Sequence, residues 1–268
     1  MINGIKSIIK RCGAIYRPLK KIKSKIVTPL RDGHFAYYSK YRRGLRAEEL
    51  ARFDELGFSK TKPVMIEAWR IGKGKDGAER RYYTAVKEDA RCFIKVGSRD
   101  ATVVNELRLL EYINGGSELF PKLAAGTESF GKETAMLAIN YVEGLHEVSL
   151  DCGGEAVLRD MVSILEELER FGIVHADIHK GNLMYGSKGP ILLDFGISRI
   201  MGRENEIDYN ARPGTYFMQN GGLRTYNDAY SCLRLLEELG ADAKLKSTEE
   251  YKRIEGRLCG PSFTVKLD

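Results

Sequence analysis

Apolar side chains recur at helical spacing in three stretches of the chain. Residues 155 to 170 carry Val157, Leu158, Met161, Ile164, Leu165 and Leu168 on one face, and Gly172 marks the stop of the predicted helix. Residues 100 to 113, DATVVNELRLLEYI, place Val103, Leu107 and Leu110 together in the same way, and NDAYSCLRLLEEL predicts a third helix. Elsewhere the pattern is that of strands. Val64 to Ile71, Arg81 to Val86 and Arg91 to Val96 predict three antiparallel strands joined by the turns GKGKDGAE and KEDA, with KTKPV (60 to 64) as the linker into the first. Further strands are expected around Leu123 and at Met136 to Asn140. Leu183 to Tyr185 and Ile191 to Leu193 form a hairpin about the turn Gly186 to Pro190. From Asp151 onward the chain is expected to be mainly helical apart from that hairpin, and a short charged helix is expected at 47 to 57.

Composition adds compartment. With 268 residues, 43% of them hydrophobic, the chain is long enough for one large domain or two lobes sharing a cleft. Its five cysteines form no CxxC pair, and four histidines assemble no zinc-type spacing, so free thiols in a reducing cytosol are expected. No apolar run approaches the ~18 residues needed to span a bilayer, and MINGIKSIIK lacks the apolar core of a secretory signal. Cytoplasmic residence follows. The net charge of +6 is unevenly held, since residues 1 to 46 carry thirteen Lys or Arg against the single Asp32. Within this arm Ile2, Ile5, Ile8, Ile9, Cys12, Ile15, Leu19, Ile22 and Ile26 recur at near-helical spacing between lysines, interrupted at Pro18. Such a segment either lies on an anionic membrane surface or packs its isoleucines on the protein's own body. Nucleic acid is the weaker partner: Tyr37, Tyr38 and Tyr41 beside Arg42 and Arg43 more commonly serve a core or interface.

The chemistry concentrates in residues 171 to 199, FGIVHADIHKGNLMYGSKGPILLDFGISR. Asp177, Asn182 and Asp194 fall in a loop and at a strand end around one hairpin. A loop carboxylate in this setting accepts a proton from an attacking hydroxyl, while an Asn and a second Asp supply the oxygen ligands that Mg2+ takes on a nucleotide's phosphates. Lys95 closes the apolar strand CFIKV, where an ammonium needs an anion, and a phosphate or Glu106 on the following helix would serve. Gly72, Gly74 and Gly77 in the first turn leave backbone N–H groups open to phosphate.

HADIHKGN (His175 to Asn182), DFG (Asp194 to Gly196), FIK (Lys95), GxGxxG (Gly72 to Gly77) and NYVEG (Asn140 to Gly144), in this order, resemble the protein-kinase-like superfamily over roughly residues 64 to 240. The resemblance implies an α+β, bilobal fold with a β-rich N-lobe at 63 to 141 and a compact, reduced helical C-lobe at 142 to 268, preceded by a basic extension at 1 to 62. It implies ATP and Mg2+ as cofactors. Asp177 would be the catalytic base, Asn182 and Asp194 the Mg2+ ligands, and Lys95 the phosphate-binding lysine paired with Glu106, with Glu111 the fallback. Asn140 and Val142 would bond adenine through their backbone, with Ile139 behind. Thr215 in PGTYFM would meet Asp177, Asp228 would brace the catalytic loop, and His175 would pack with Phe195 as a buried structural imidazole.

Three departures shape the functional expectation. Ala176 stands in place of the usual Arg, which removes the clamp for a phosphorylated loop. Phe93 replaces a small residue against the adenine. His179 takes the place of the catalytic-loop Lys, with Lys180 beside it as a further catalytic candidate; D-x-H-x-x-N resembles small-molecule and lipopolysaccharide kinases. The expected activity is γ-phosphoryl transfer to a hydroxyl, with protein Ser/Thr slightly favoured. A glycan or lipid-linked sugar kinase at the cytoplasmic membrane face is the alternative, and a nucleotide-binding scaffold without turnover the third.

Overall fold

The structure is a computed structural model, and it describes residues 49–64, 79–98, 100–131, 134–151 and 153–267. The amphipathic arm, the tyrosine cluster, most of the first predicted strand and Gly72, Gly74 and Gly77 lie outside these residues. Residues 49–55 are helical, inside the charged helix expected at 47 to 57. Gly57–Asp268 form one compact unit.

The first lobe begins with β1 (Ser59–Pro63), β2 (Glu79–Lys87) and β3 (Ala90–Ser98). Helix α1 (Ala101–Ile113), β4 (Leu123–Gly131) and β5 (Thr134–Asn140) follow. The five strands form one antiparallel sheet in the order β1-β2-β3-β5-β4. Ser59–Pro63 is thus a strand where the sequence predicts a linker. The reason is its place at the sheet edge: SKTKP is almost wholly exposed, so it has no apolar face to show, and an edge tolerates Lys and Pro. The turn at Glu88 and Asp89 is where KEDA predicts it. Asp100 lies outside α1 as its N-cap, accepting the Thr102 N–H, and Asn114 closes the helix in the left-handed conformation.

The second lobe comprises β6 (His146–Glu147), α2 (Gly154–Phe171), β7 (Ile173–Val174), β8 (Leu183–Gly186), β9 (Gly189–Leu192) and β10 (Arg199–Ile200). It continues through β11 (Met218–Asn220), β12 (Leu223–Asn227), α3 (Asp228–Glu238), α4 (Ala243–Lys246) and α5 (Glu249–Gly256) to β13 (Ser262–Lys266). Gly172 ends α2 in the left-handed conformation, as its place after the last apolar residue predicts. The hairpin turns at Ser187 and Lys188, and Leu193 lies beyond β9. Helices dominate the second half as expected, but it also holds strands that the pattern did not predict: β11, β12 and β13 build a three-stranded sheet. Its strands are short and mostly half-exposed, so their alternation is weak. The cue is the Asn220-Gly221-Gly222 turn, with Gly221 at φ 56°.

One buried cluster joins the lobes. Val103, Leu107 and Leu110 of α1, Leu137 of β5, Leu158, Met161 and Leu165 of α2, Leu183 and Leu192 of the hairpin, and Phe195 pack together. The opposite face of the first sheet is also buried, at Tyr83, Ala85, Cys92, Ile94, Val96, Met136 and Ala138. That double burial explains why β3 and β5 read as nearly continuous apolar runs. The fold is α+β, with a sheet-rich first lobe and a second lobe that carries most of the helices.

Candidate active site

The catalytic loop is held by its backbone before any side chain acts. Ala176 adopts φ 67°, a conformation an L residue keeps only when its surroundings fix it. Those surroundings are Asp228 at the start of α3, whose carboxylate accepts the N–H groups of His175 at 2.7 Å and Ala176 at 3.0 Å. Ser198 Oγ donates to the His175 carbonyl at 3.0 Å. The His175 ring is fully buried, 4.8 Å edge-on from Phe195. Its Nε2–H donates to the Leu193 carbonyl at 3.1 Å and its Nδ1 accepts the Asp177 N–H at 3.3 Å. Both ring nitrogens therefore have fixed roles in the neutral form, and burial pulls the imidazole down to about 4. Asp228 is pushed up to about 6 by burial, against the pull of its two N–H bonds.

Asp177 is held by the segment that follows the DFG turn. Its Oδ1 accepts both the Thr215 N–H at 2.7 Å and the Thr215 hydroxyl at 2.8 Å. Asn182 Nδ2 donates to the Asp177 carbonyl at 2.9 Å and reaches Oδ2 at 3.3 Å. Gly214 makes the Thr215 contact possible, because a Cβ there would sit 1.9 Å from the Ala176 carbonyl oxygen. His179 Nε2 lies 3.7 Å from Asp177 Oδ2, while its Nδ1 accepts the Gly181 N–H at 3.0 Å. His179 thus faces the carboxylate and its neighbour Lys180 does not: Lys180 Nζ pairs with Glu238 of α3 at 2.9 Å. The predicted catalytic candidacy of Lys180 meets no support in this geometry.

On β3, Lys95 Nζ lies 2.6 Å from Glu106 Oε2 and 3.2 Å from Asp194 Oδ1. Glu111 is exposed on another face of α1. Burial alone would lower Lys95, but Asp194 and Glu106 outweigh it and its ammonium is held well above its ordinary range. For Glu106 burial wins, and its carboxyl is raised despite Lys95. Desolvation pushes Asp194 up, yet Lys95 and Arg80 outweigh it and hold this carboxylate at about 2. Asp194 is at φ 64°, with a half-exposed side chain. Among the described residues no group of three or more His, Cys, Asp or Glu is placed to hold a metal ion. Asn182, whose Nδ2 is engaged with Asp177, has Oδ1 as its remaining polar atom, and Asp194 has Oδ2. Two oxygens of this kind fit Mg2+, which keeps several waters and takes further ligands from phosphate rather than from a protein cage.

Two residues before Lys95 on β3 the sheet is crowded. Phe93 stacks on Tyr82 of β2 at a ring distance of 5.7 Å, and pairs in register with Ile139. The Asn140 N–H is already donated to the Lys122 carbonyl at 2.9 Å, so only its carbonyl faces the task predicted for it. Val142 is half-buried beside Gly186, where a Cβ would meet it at 2.7 Å.

Four further residues connect the parts and were not singled out in the sequence. Asn105 Nδ2 donates to the carbonyls of Gly196 at 3.1 Å and Ser198 at 2.9 Å, tying α1 to the segment after Asp194. Asp100 accepts from Arg80 of β2 and, at 3.0 Å, from Arg212. Only Asp100 left a signal, as an N-cap residue directly before a periodic apolar run.

A family model and a solved structure each match the chain. A family model described as the ABC1 atypical kinase-like domain matches residues 134–212, which hold the catalytic loop, the DFG turn and Arg212. Among solved structures, the chain is similar to the kinase PK-1 of the Cydia pomonella granulovirus, at 18% identity and a TM-score of 0.48 over 80% of this chain and 81% of that one. No curated protein sequence matches the chain. The matched stretch contains Asp177, Asn182 and Asp194 but neither Lys95 nor Glu106. Among the described residues no helix is long and apolar enough to cross a membrane.

Proposed function

We propose that the protein is an ATP-dependent phosphotransferase that moves the γ-phosphoryl group to a hydroxyl. The observation that carries this is the convergence of Lys95 on Glu106 and Asp194, together with an Asp177 held by Thr215 and Asn182. Lys95 supplies a permanent positive charge for the α and β phosphates, and Glu106 fixes where it points. Asn182 and Asp194 would hold Mg2+, which supplies charge neutralisation on the β and γ phosphates. Asp177 Oδ1 is occupied by two donors from Thr215, so Oδ2 is the oxygen that orients the acceptor hydroxyl and takes its proton. The new bond joins the acceptor oxygen to the γ phosphorus, the bond to the β–γ bridging oxygen breaks, and ADP leaves with that electron pair. Positioning and fixed charge supply most of the rate.

The acceptor we favour is a protein Ser or Thr, because the Thr215 hydroxyl and N–H shape the approach to Asp177 for a small aliphatic hydroxyl. A glycan or lipid-linked sugar is the second reading. It is supported by His179 facing Asp177 where a lysine is usual. Labelled ATP incubated with purified protein and lysate, then fractionated into protein, lipid and glycan, distinguishes the two. Asp177→Asn and Asp194→Asn should each lower transfer by at least ~100-fold; wild-type transfer by either variant overturns the assignment. Stabilisation by Mg-ATP with no label transferred to any fraction would identify a nucleotide-binding scaffold.

A further inference from the structure

Asp100 is a fully buried carboxylate with more than a capping duty. It bonds the Thr102 N–H at 3.1 Å and the Thr102 hydroxyl at 2.7 Å, which starts α1. It also receives Arg80 from β2 and Arg212 from the segment after the DFG turn, the latter at 3.0 Å, with Arg212 reaching the Thr102 hydroxyl at 3.4 Å. Three separate pieces of chain meet on one side chain.

Each piece leads into half of the site. Six residues after Asp100, α1 presents Glu106 to Lys95. Three residues after Arg212, Thr215 grips Asp177. We propose that the Asp100–Arg212 ion pair is a built-in latch that locks α1 to the activation segment, so that the Lys95–Glu106 and Asp177–Thr215 halves assemble together without phosphorylation. A phosphorylated loop performs this task by giving arginines a dianion to bind. Here Ala176 offers no arginine, and the anion is Asp100, encoded in the chain and buried from solvent. Asn105 adds uncharged bonds from the same helix to Gly196 and Ser198. Arg80 brings the sheet into the same cluster. Its charge also reaches Asp194, which it helps to keep ionised. Arg212 and Asp100 are positioning residues, and the inference of their effect on rate rests on the phosphoryl-transfer reading above.

The test compares Arg212→Gln, Arg212→Lys, Asp100→Asn and Asp177→Asn with the parent full-length protein. The readouts are kcat, KM for Mg-ATP, and amide hydrogen exchange. Asp100→Asn retains an N-cap acceptor while removing the charge. Arg212→Gln should lower kcat roughly tenfold to a hundredfold, the size of a small misplacement of reacting groups, with KM for Mg-ATP changed less than about threefold. Exchange should speed at residues 205 to 217 and not in α2. Arg212→Lys should recover part of the loss. Asp100→Asn should be worse than Arg212→Gln, because it leaves two guanidinium groups facing each other. Phosphatase-treated parent should keep its kcat. The latch is overturned if Arg212→Gln and Asp100→Asn keep kcat within about twofold of the parent while Asp177→Asn is inactive, or if phosphatase treatment abolishes activity. If the parent transfers no phosphate to any acceptor, the phosphoryl-transfer reading fails separately. Unchanged exchange at 205 to 217 in Arg212→Gln would then overturn the latch, and faster exchange there would sustain it.

Discussion

Acidification should destabilise this protein through His175, and the size of the effect follows from the ring's surroundings. In the native state Nε2–H donates to Leu193 and Nδ1 accepts from the Asp177 N–H, so a second proton on Nδ1 breaks a bond and places a charge in a fully buried site. The folded value of about 4 stands against 6.5 in the unfolded chain. Between these values the unfolded state binds a proton that the native state does not, so stability rises with pH and is lost as pH falls. This stabilisation is complete above about pH 6.5 and gone below about pH 4. From pH 7.5 to pH 5 the linkage relation makes the loss about 2 kcal/mol, or some 4–8 °C in Tm for a domain of this size. Asp228 runs the other way: its native value of about 6 lies above 3.8, so it binds its proton first in the folded state and offsets part of the loss as pH falls below 6. The measurement is therefore a difference. Denaturant unfolding of the parent and of His175→Tyr, at several pH values from 7.5 to 5, isolates the imidazole, since a phenol keeps the ring against Phe195 and does not titrate there. The gap between the two curves should narrow or invert by about 2 kcal/mol on acidification. Parallel curves would refute the reasoning, as would an imidazole NMR titration of His175 with a midpoint near 6.5.

Other outcomes follow from the same geometry. Gly214→Ala places a Cβ 1.9 Å from the Ala176 carbonyl oxygen, so Thr215 must move off Asp177. Phosphate transfer should fall at least ~100-fold with the Mg-ATP-induced thermal shift retained; full activity would show that the Thr215 contact is dispensable. Lys95→Met should abolish that thermal shift, because it removes the charge facing the phosphates and leaves Glu106 buried without its cation. Glu106→Gln should keep nucleotide binding within about tenfold and lose most of kcat, and equal loss of binding in both variants would assign Glu106 a purely structural part.

The features legible in the sequence are those written in local spacing. The apolar periods of α1 and α2 placed both helices within a residue or two of their observed ends, and HADIHKGN with DFG marked the polar loop and turn whose side chains the structure brings together. The Lys95–Glu106 pair was legible because an ammonium at the end of an apolar strand needs an anion and the following helix offers carboxylates, of which Glu106 rather than the fallback Glu111 lies on the inward face. What escaped depends on distant chain. Arg212 lies 112 residues from Asp100, and neither type of residue is unusual in its own segment. Lys180 looked as suitable as His179 until the loop's path turned one inward and the other toward Glu238. The sheet of β11, β12 and β13 is hard to read because half-exposed strands carry little alternation, and its one local mark is the Asn-Gly-Gly turn.

The polarity that concealed β1 has a use of its own. An uncovered sheet edge is an invitation for another chain to add a strand, and the neighbouring β2 sequence RRYYTAV is rich in the residues that such stacking favours. Ser59–Pro63 closes that side with two lysines and a proline that has no N–H to donate. Shortening the protein to begin after Pro63, at the boundary its hydrophobic pattern suggests, would strip this guard and leave a preparation prone to self-association, so expression trials on a trimmed kinase-like body are best begun no later than Gly57.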